Sequence, residues 1–145
     1  MAQAALAPGA GTRHTRPPNL FDERTHAIAR WAVPAVLGLV YGFWAAANQR
    51  HGGPITGWNL LFGWVTALVF MLAMVGVLYL APRLRRELHA LLWGAFTGTA
   101  VGFLYAQTGD SHFTAIFIGL GCAALIGLSV FYWAYTHEDA AGHHI

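Results

Sequence analysis

Polar residues fall in short clusters along this chain, and four long apolar runs separate them, at about 27–47, 57–80, 88–107 and 113–135. A helix needs about 20 predominantly apolar residues to cross the roughly 30 Å hydrocarbon core of a bilayer, and each run has that length. A soluble helix of this size would carry a polar stripe at every third or fourth position. The stretch Leu68-Val69-Phe70-Met71-Leu72-Ala73-Met74-Val75 carries none. The pattern predicts an all-α membrane protein, an up-down bundle of four transmembrane helices. Its connections, near 48–56, 81–87 and 108–112, are short, so consecutive helices must be antiparallel neighbours. Thr56 and Thr108 are candidate caps, Gly52-Gly53-Pro54 and Gly109 candidate turns, and Pro34 is expected to kink the first helix.

Residues 1–19 differ from the rest. They are rich in Ala, Pro and Gly, carry Arg13, Arg16 and the Pro17-Pro18 pair, and read as a disordered N-terminal tail. Asn19 is a candidate N-cap, with Asp22 and Glu23 in a first turn where the helix dipole favours acids. The transmembrane domain is expected over 20–136, followed by a short tail at 137–145. The first apolar run exceeds the about 7–15 residues of a cleavable signal, so it reads as a signal anchor.

Composition sharpens this picture. The chain is 57% hydrophobic and 10% charged, with a mean hydropathy of +0.49, where an ordinary soluble domain is about a quarter charged. A nucleic-acid binder would gather its cations in one patch; here they punctuate apolar runs, which excludes nucleic acid as a partner. All eight basic residues are arginine, and the absence of lysine points to GC-rich coding and a bacterial source. Arg13, Arg16, Arg24 and Arg30 precede the first run and Arg83, Arg85 and Arg86 lie in the second connection, against Arg50 alone in the first and none in the third. The positive-inside rule then places both termini and the middle connection in the cytoplasm of a cell-membrane protein. Trp31, Tyr79, Trp93, Trp133 and Tyr135 fall near that inner interface and Trp44, Trp58 and Tyr105 near the outer one, as aromatic belts require.

Lipid tails are as apolar as leucine, so helices in a membrane associate by close approach through small residues. Gly38, Gly42 and Ala46 in the first run, Gly94, Gly98 and Gly102 in the third, and Gly119, Ala123 and Gly127 in the fourth repeat at four-residue spacing, a glycine-zipper pattern. Packing within one bundle is expected of them ahead of dimerisation. The first and third runs also share Gly38-x-x-x-Gly42-Phe43 and Gly98-x-x-x-Gly102-Phe103. Each would open an in-to-out hairpin, and duplicated hairpins are a route to transporters, although such spacing also arises by chance in this composition.

Candidate chemistry is sparse. No Asp, Glu or His lies at mid-membrane depth, where an ion path, a proton relay or the axial ligands of a buried haem would need one, and no cofactor is implied. His26, His89 and His137 fall at the inner edge. His51, Asp110 and His112, from the two outer connections, are the candidate metal ligands, although Asp-x-His is too short a pattern to be specific and loop-capping roles explain it equally well. The His137-Glu138-Asp139 tail with His143 and His144 would bind metal only loosely. Ser129 and Cys122 have no base beside them, so nucleophilic catalysis has no support, and a single cysteine closes no internal disulfide. Arg83, Arg85 and Arg86 could touch anionic lipid.

Two functions fit these residues. One is a non-catalytic scaffold or accessory subunit of a larger membrane complex, in contact with the lipid bilayer and with other subunits or its own copies. The other is a small oligomeric transporter or channel for a neutral or apolar solute, lined by Asn59, Thr66, Thr97, Thr99 and Ser129. A membrane redox or metal enzyme using the edge histidines is a third. Tyr41-Gly42-Phe43-Trp44, placed just before the first outer connection, resembles the four-helix subunit four of actinobacterial cytochrome c oxidases. That likeness covers the first hairpin only, since the hydrophilic middle segment of that family is absent, and it implies an accessory role by analogy of architecture.

Overall fold

Long apolar segments cannot leave backbone N–H and C=O groups unpaired in lipid, and continuous helix satisfies all of them within the segment. The computed structural model describes residues 23–137; the expected N-terminal tail, the Asn19 cap and residues 138–145 lie outside the described residues. Four helices fill that range: α1 over Glu23–Gln49, α2 over Gly57–Leu80, α3 over Arg86–Ala106 and α4 over His112–His137, with one 3-10 turn at Ala81–Arg83. Each is long and apolar enough to cross a membrane, so this is a multi-pass, all-α membrane protein built as a four-helix bundle. α1 runs through Pro34 as one helix, and the proline is fully buried.

Helix ends follow local chemistry. Thr56 caps α2, its hydroxyl accepting from the Asn59 N–H at 3.2 Å. Thr108 does not cap α4. Its hydroxyl donates back to the Tyr105 carbonyl at 2.7 Å, and the Ser111 hydroxyl takes the capping place by accepting from the Phe113 N–H at 3.3 Å. Gly52 and Gly109 supply the left-handed backbone, at φ +82° and +83°, that turns each connection.

The helices associate in two pairs, α1 on α2 and α3 on α4, and no Cα of α4 comes within 8 Å of α1 or α2. The bundle is therefore open: two hairpins lie side by side and meet along α3. Its buried apolar residues are small, namely Ala45, Ala67, Ala81, Ala90, Ala115 and Ala134 with Val77. Bulky residues such as Phe43, Trp58, Phe117 and Leu128 point outward, where lipid tails solvate them.

The two hairpins are built alike, in a register that differs from the one the shared Gly-x-x-x-Gly-Phe suggests. A Cβ on Gly42 would collide with the Gly63 carbonyl oxygen and stand 2.7 Å from the Ala67 Cβ. A Cβ on Gly98 would stand 2.5 Å from the Gly119 carbonyl oxygen and 2.6 Å from the Ala123 Cβ. Gly38 meets the Ala67 carbonyl and Met71, as Gly94 meets the Ala123 carbonyl and Gly127. Gly38 and Gly94, Gly42 and Gly98, Gly63 and Gly119, and Ala67 and Ala123 each stand 56 positions apart, with no gap in helix or loop. Three glycines in a row allow a slip of one turn, so α3 alone does not fix the correspondence; the partner helix does. Gly38 thus corresponds to Gly94 and not to Gly98.

Candidate functional site

The glycines of the two seams let backbone touch backbone. On the α3–α4 seam the clearances for a Cβ on Gly102 and Gly119 are 3.3 Å to the Ala115 carbonyl oxygen and 2.8 Å to the Gly98 carbonyl oxygen, while Gly127 has 3.5 Å to the Ala90 carbonyl oxygen. Beside each seam runs an apolar groove. That of the first hairpin, about 270 Å³, passes Phe43, Ala46, Gly63 and Trp64; that of the second, about 1100 Å³, passes Thr99, Gly102, Gly119 and Leu120. Every residue lining the first groove except Ile55 has its 56-shifted counterpart lining the second.

Between the hairpins the contact is aromatic and polar. Phe70 meets Phe96 at 5.3 Å between ring centroids and Phe62 stacks on Phe103 at 6.4 Å, while Tyr41, within the first hairpin, stacks on Phe70 at 4.4 Å and presents it to α3. The Tyr41 hydroxyl donates to the Ala100 carbonyl at 2.7 Å and the Asn48 amide to the Leu104 carbonyl at 3.2 Å. Within the first hairpin the buried Asn59 amide donates to the Ala46 carbonyl at 2.8 Å and to Gln49 Oε1 at 3.0 Å. Helical carbonyls already accept one bond each and keep a second lone pair, which is what these side chains use. Among the described residues no buried side-chain nitrogen or oxygen lacks a partner. Hydropathy alone does not reveal these pins; the signal was a Tyr and two Asn standing in otherwise apolar helix, where an amide must find a bond.

His51, itself at φ +47°, sets its Nε2 2.7 Å from where a Cβ on Gly109 would be, so the two loops on this side touch. The Tyr105 hydroxyl donates to the Asp110 carboxylate at 2.8 Å. His112 opens α4 and lines its groove. Among the described residues no three His, Cys, Asp or Glu side chains come together to hold a metal. Of the hydroxyls and amides named for a solute path, Asn59 is spent on the first seam, Ser129 donates to the Leu125 carbonyl of its own helix at 2.7 Å, and Thr99 faces the second groove.

On the basic side the arginines pair with aromatic rings. The Arg83 guanidinium donates to the Tyr79 carbonyl and lies 3.6 Å over the Tyr79 ring, and Arg86 sits 5.5 Å from the Tyr135 ring and 3.8 Å from the Glu87 carboxylate. His89 Nδ1 donates to the Ala81 carbonyl at 2.9 Å and His137 Nδ1 to the Trp133 carbonyl at 2.9 Å. A carbonyl only accepts, so in both rings Nδ1 carries the proton. These contacts tie the middle connection to the end of α2 and to the end of α4. Comparison with protein-family models, with curated proteins and with solved structures returns no match for this chain.

Proposed function

We propose that this chain is a scaffold or accessory subunit of a larger membrane complex in a bacterial cell membrane, with its termini and the Arg83–Arg86 connection in the cytoplasm. The observation that supports this reading is how the polar groups are spent. Tyr41, Asn48 and Asn59 each donate to a helix carbonyl and so serve helix–helix packing. What the molecule presents outward is apolar, with Leu37, Val40 and Trp44 of α1 forming an exposed edge. Such a surface suits lipid and the apolar face of a neighbouring subunit alike, with those three polar side chains not reserved for a solute. The test is gentle solubilisation from native membranes, followed by identification of co-purifying chains. The expected result is stable recovery with other membrane proteins. Recovery solely as a monomer or a homo-oligomer overturns the accessory role.

A further inference from the structure

The repeat and the open bundle together leave two faces unused. Within the chain, α3 packs through Phe96, Ala100 and Phe103 on the face of the first hairpin formed by Tyr41, Phe62 and Phe70. Shifting each residue by the 56 positions that relate the hairpins gives the equivalent surfaces. The back of α1 then carries Val40 and Trp44, which are 55% and 57% exposed, with the half-buried Ala47 beside them. The face of the second hairpin carries Thr97, Ile118 and Ile126, all half-buried, and no Cα of α1 or α2 comes within 8 Å of the α4 residues Ile118 and Ile126.

This internal contact is not two-fold. A two-fold relation would match each approach of α2 to α3 with one of α4 to α1, and α2 meets α3 while α4 stays clear of α1. It is head-to-tail, so each chain ends with one free head and one free tail. We propose that a second copy of this chain covers them, the α1 edge of one copy seating on the second-hairpin face of the next and repeating the contact already made inside the chain.

Shape supports the pairing. Inside the chain a large Tyr41 reaches over a small Ala100. At the shifted positions a small Thr97 stands opposite a large Trp44, so the summed bulk is kept with the roles exchanged. Phe70 against Phe96 becomes Ile126 against Val40, apolar on both sides. Both hairpins stand upright in one bilayer, so the operation relating them turns about the membrane normal. Repetition of a head-to-tail contact about that axis closes into a ring of copies when its rotation divides a full turn, and otherwise runs on as an open row.

Cysteine cross-linking in native membranes tests this. On a Cys122→Ser background, a chain carrying Val40→Cys and a differently tagged chain carrying Ile126→Cys are co-expressed and mildly oxidised. The expected result is a covalent product containing both tags, with the double variant Val40→Cys/Ile126→Cys forming a ladder, which stops at a fixed number of copies if the ring closes. Trp44→Cys with Thr97→Cys should behave alike and guards against misfolding of either first variant. Phe43→Cys with Phe117→Cys, exposed positions outside the proposed contact, sets the level of random collision. No product above that level from either pair overturns the proposal. So does cross-linking of Val40→Cys chains to one another alone, which would mean a symmetric contact. Co-purification of other chains without a two-tag product sinks this inference and leaves the accessory role standing; a two-tag product with no other chain does the reverse.

Discussion

At the scale of single residues, stability in this protein rests on atoms that are absent. Gly98 is buried, and any side chain there meets the Gly119 carbonyl oxygen at 2.5 Å and the Ala123 Cβ at 2.6 Å. Neither neighbour is the far end of a flexible chain, so the helices would have to part. Gly98→Leu is expected to destabilise the fold by at least the about 1–3 kcal/mol typical of overpacking. Leu104→Ala removes a side chain but keeps the carbonyl that accepts from Asn48, and should cost less. Unfolding of both variants in mild detergent, followed by heat or by increasing sodium dodecyl sulfate, ranks them; equal midpoints would refute the packing role assigned to the glycine. The spacing of Gly94, Gly98 and Gly102 is legible in the sequence, and so is the rule that such glycines pack. Which turn meets which partner is not, because a four-residue repeat matches itself one turn away.

At the scale of helices, boundaries and turns follow the apolar runs closely. Hydrocarbon thickness sets the length of each span and polar clusters end it, both of which are written locally. The caps show the limit of local reading. Thr56 has the sequence context of a cap and is one, whereas Thr108 bonds backward and Ser111 serves α4. Pairing of helices is a different matter. Short loops dictate that α1 lies by α2 and α3 by α4, but nothing local states that α4 stays clear of the first hairpin. That depends on Phe70 meeting Phe96 and on the Tyr41 hydroxyl reaching the Ala100 carbonyl 59 positions away, coincidences that periodicity does not encode. The joint between hairpins should therefore be the weaker one. In a double-mutant cycle, Phe70→Ala and Phe96→Ala are expected to show a coupling of about 0.5–1.5 kcal/mol. Strict additivity of the two would mean that the rings do not hold the hairpins together.

At the scale of the whole molecule, fold class was legible and chemistry was not. Four spans and a shortage of charge follow from composition and spacing alone. His51, Asp110 and His112 could be nominated as ligands because residue type and side of the membrane are readable, but their distances are set by how two loops meet. His51 turns to Gly109 and Asp110 to the Tyr105 hydroxyl. Orientation rests on arginine placement, Arg83, Arg85 and Arg86 in one connection against Arg50 in another. Alkaline phosphatase fused within Arg83–Arg86 should be inactive and fused near Gly52 active; the opposite pattern reverses the assigned topology.

The size of the buried residues has a consequence for how this chain tolerates change. In a soluble protein the bulky side chains are the constrained ones, since each fills a space that nothing else fits. Here the enclosed positions are alanines and glycines, and Leu, Ile, Phe and Val mostly face lipid, which takes any apolar shape. Exchange among the large residues should be nearly neutral, while the addition of one methyl group at Gly42 or Gly98 is costly. Mutational tolerance is thus inverted: the smallest residues of this protein are the ones it can least afford to vary.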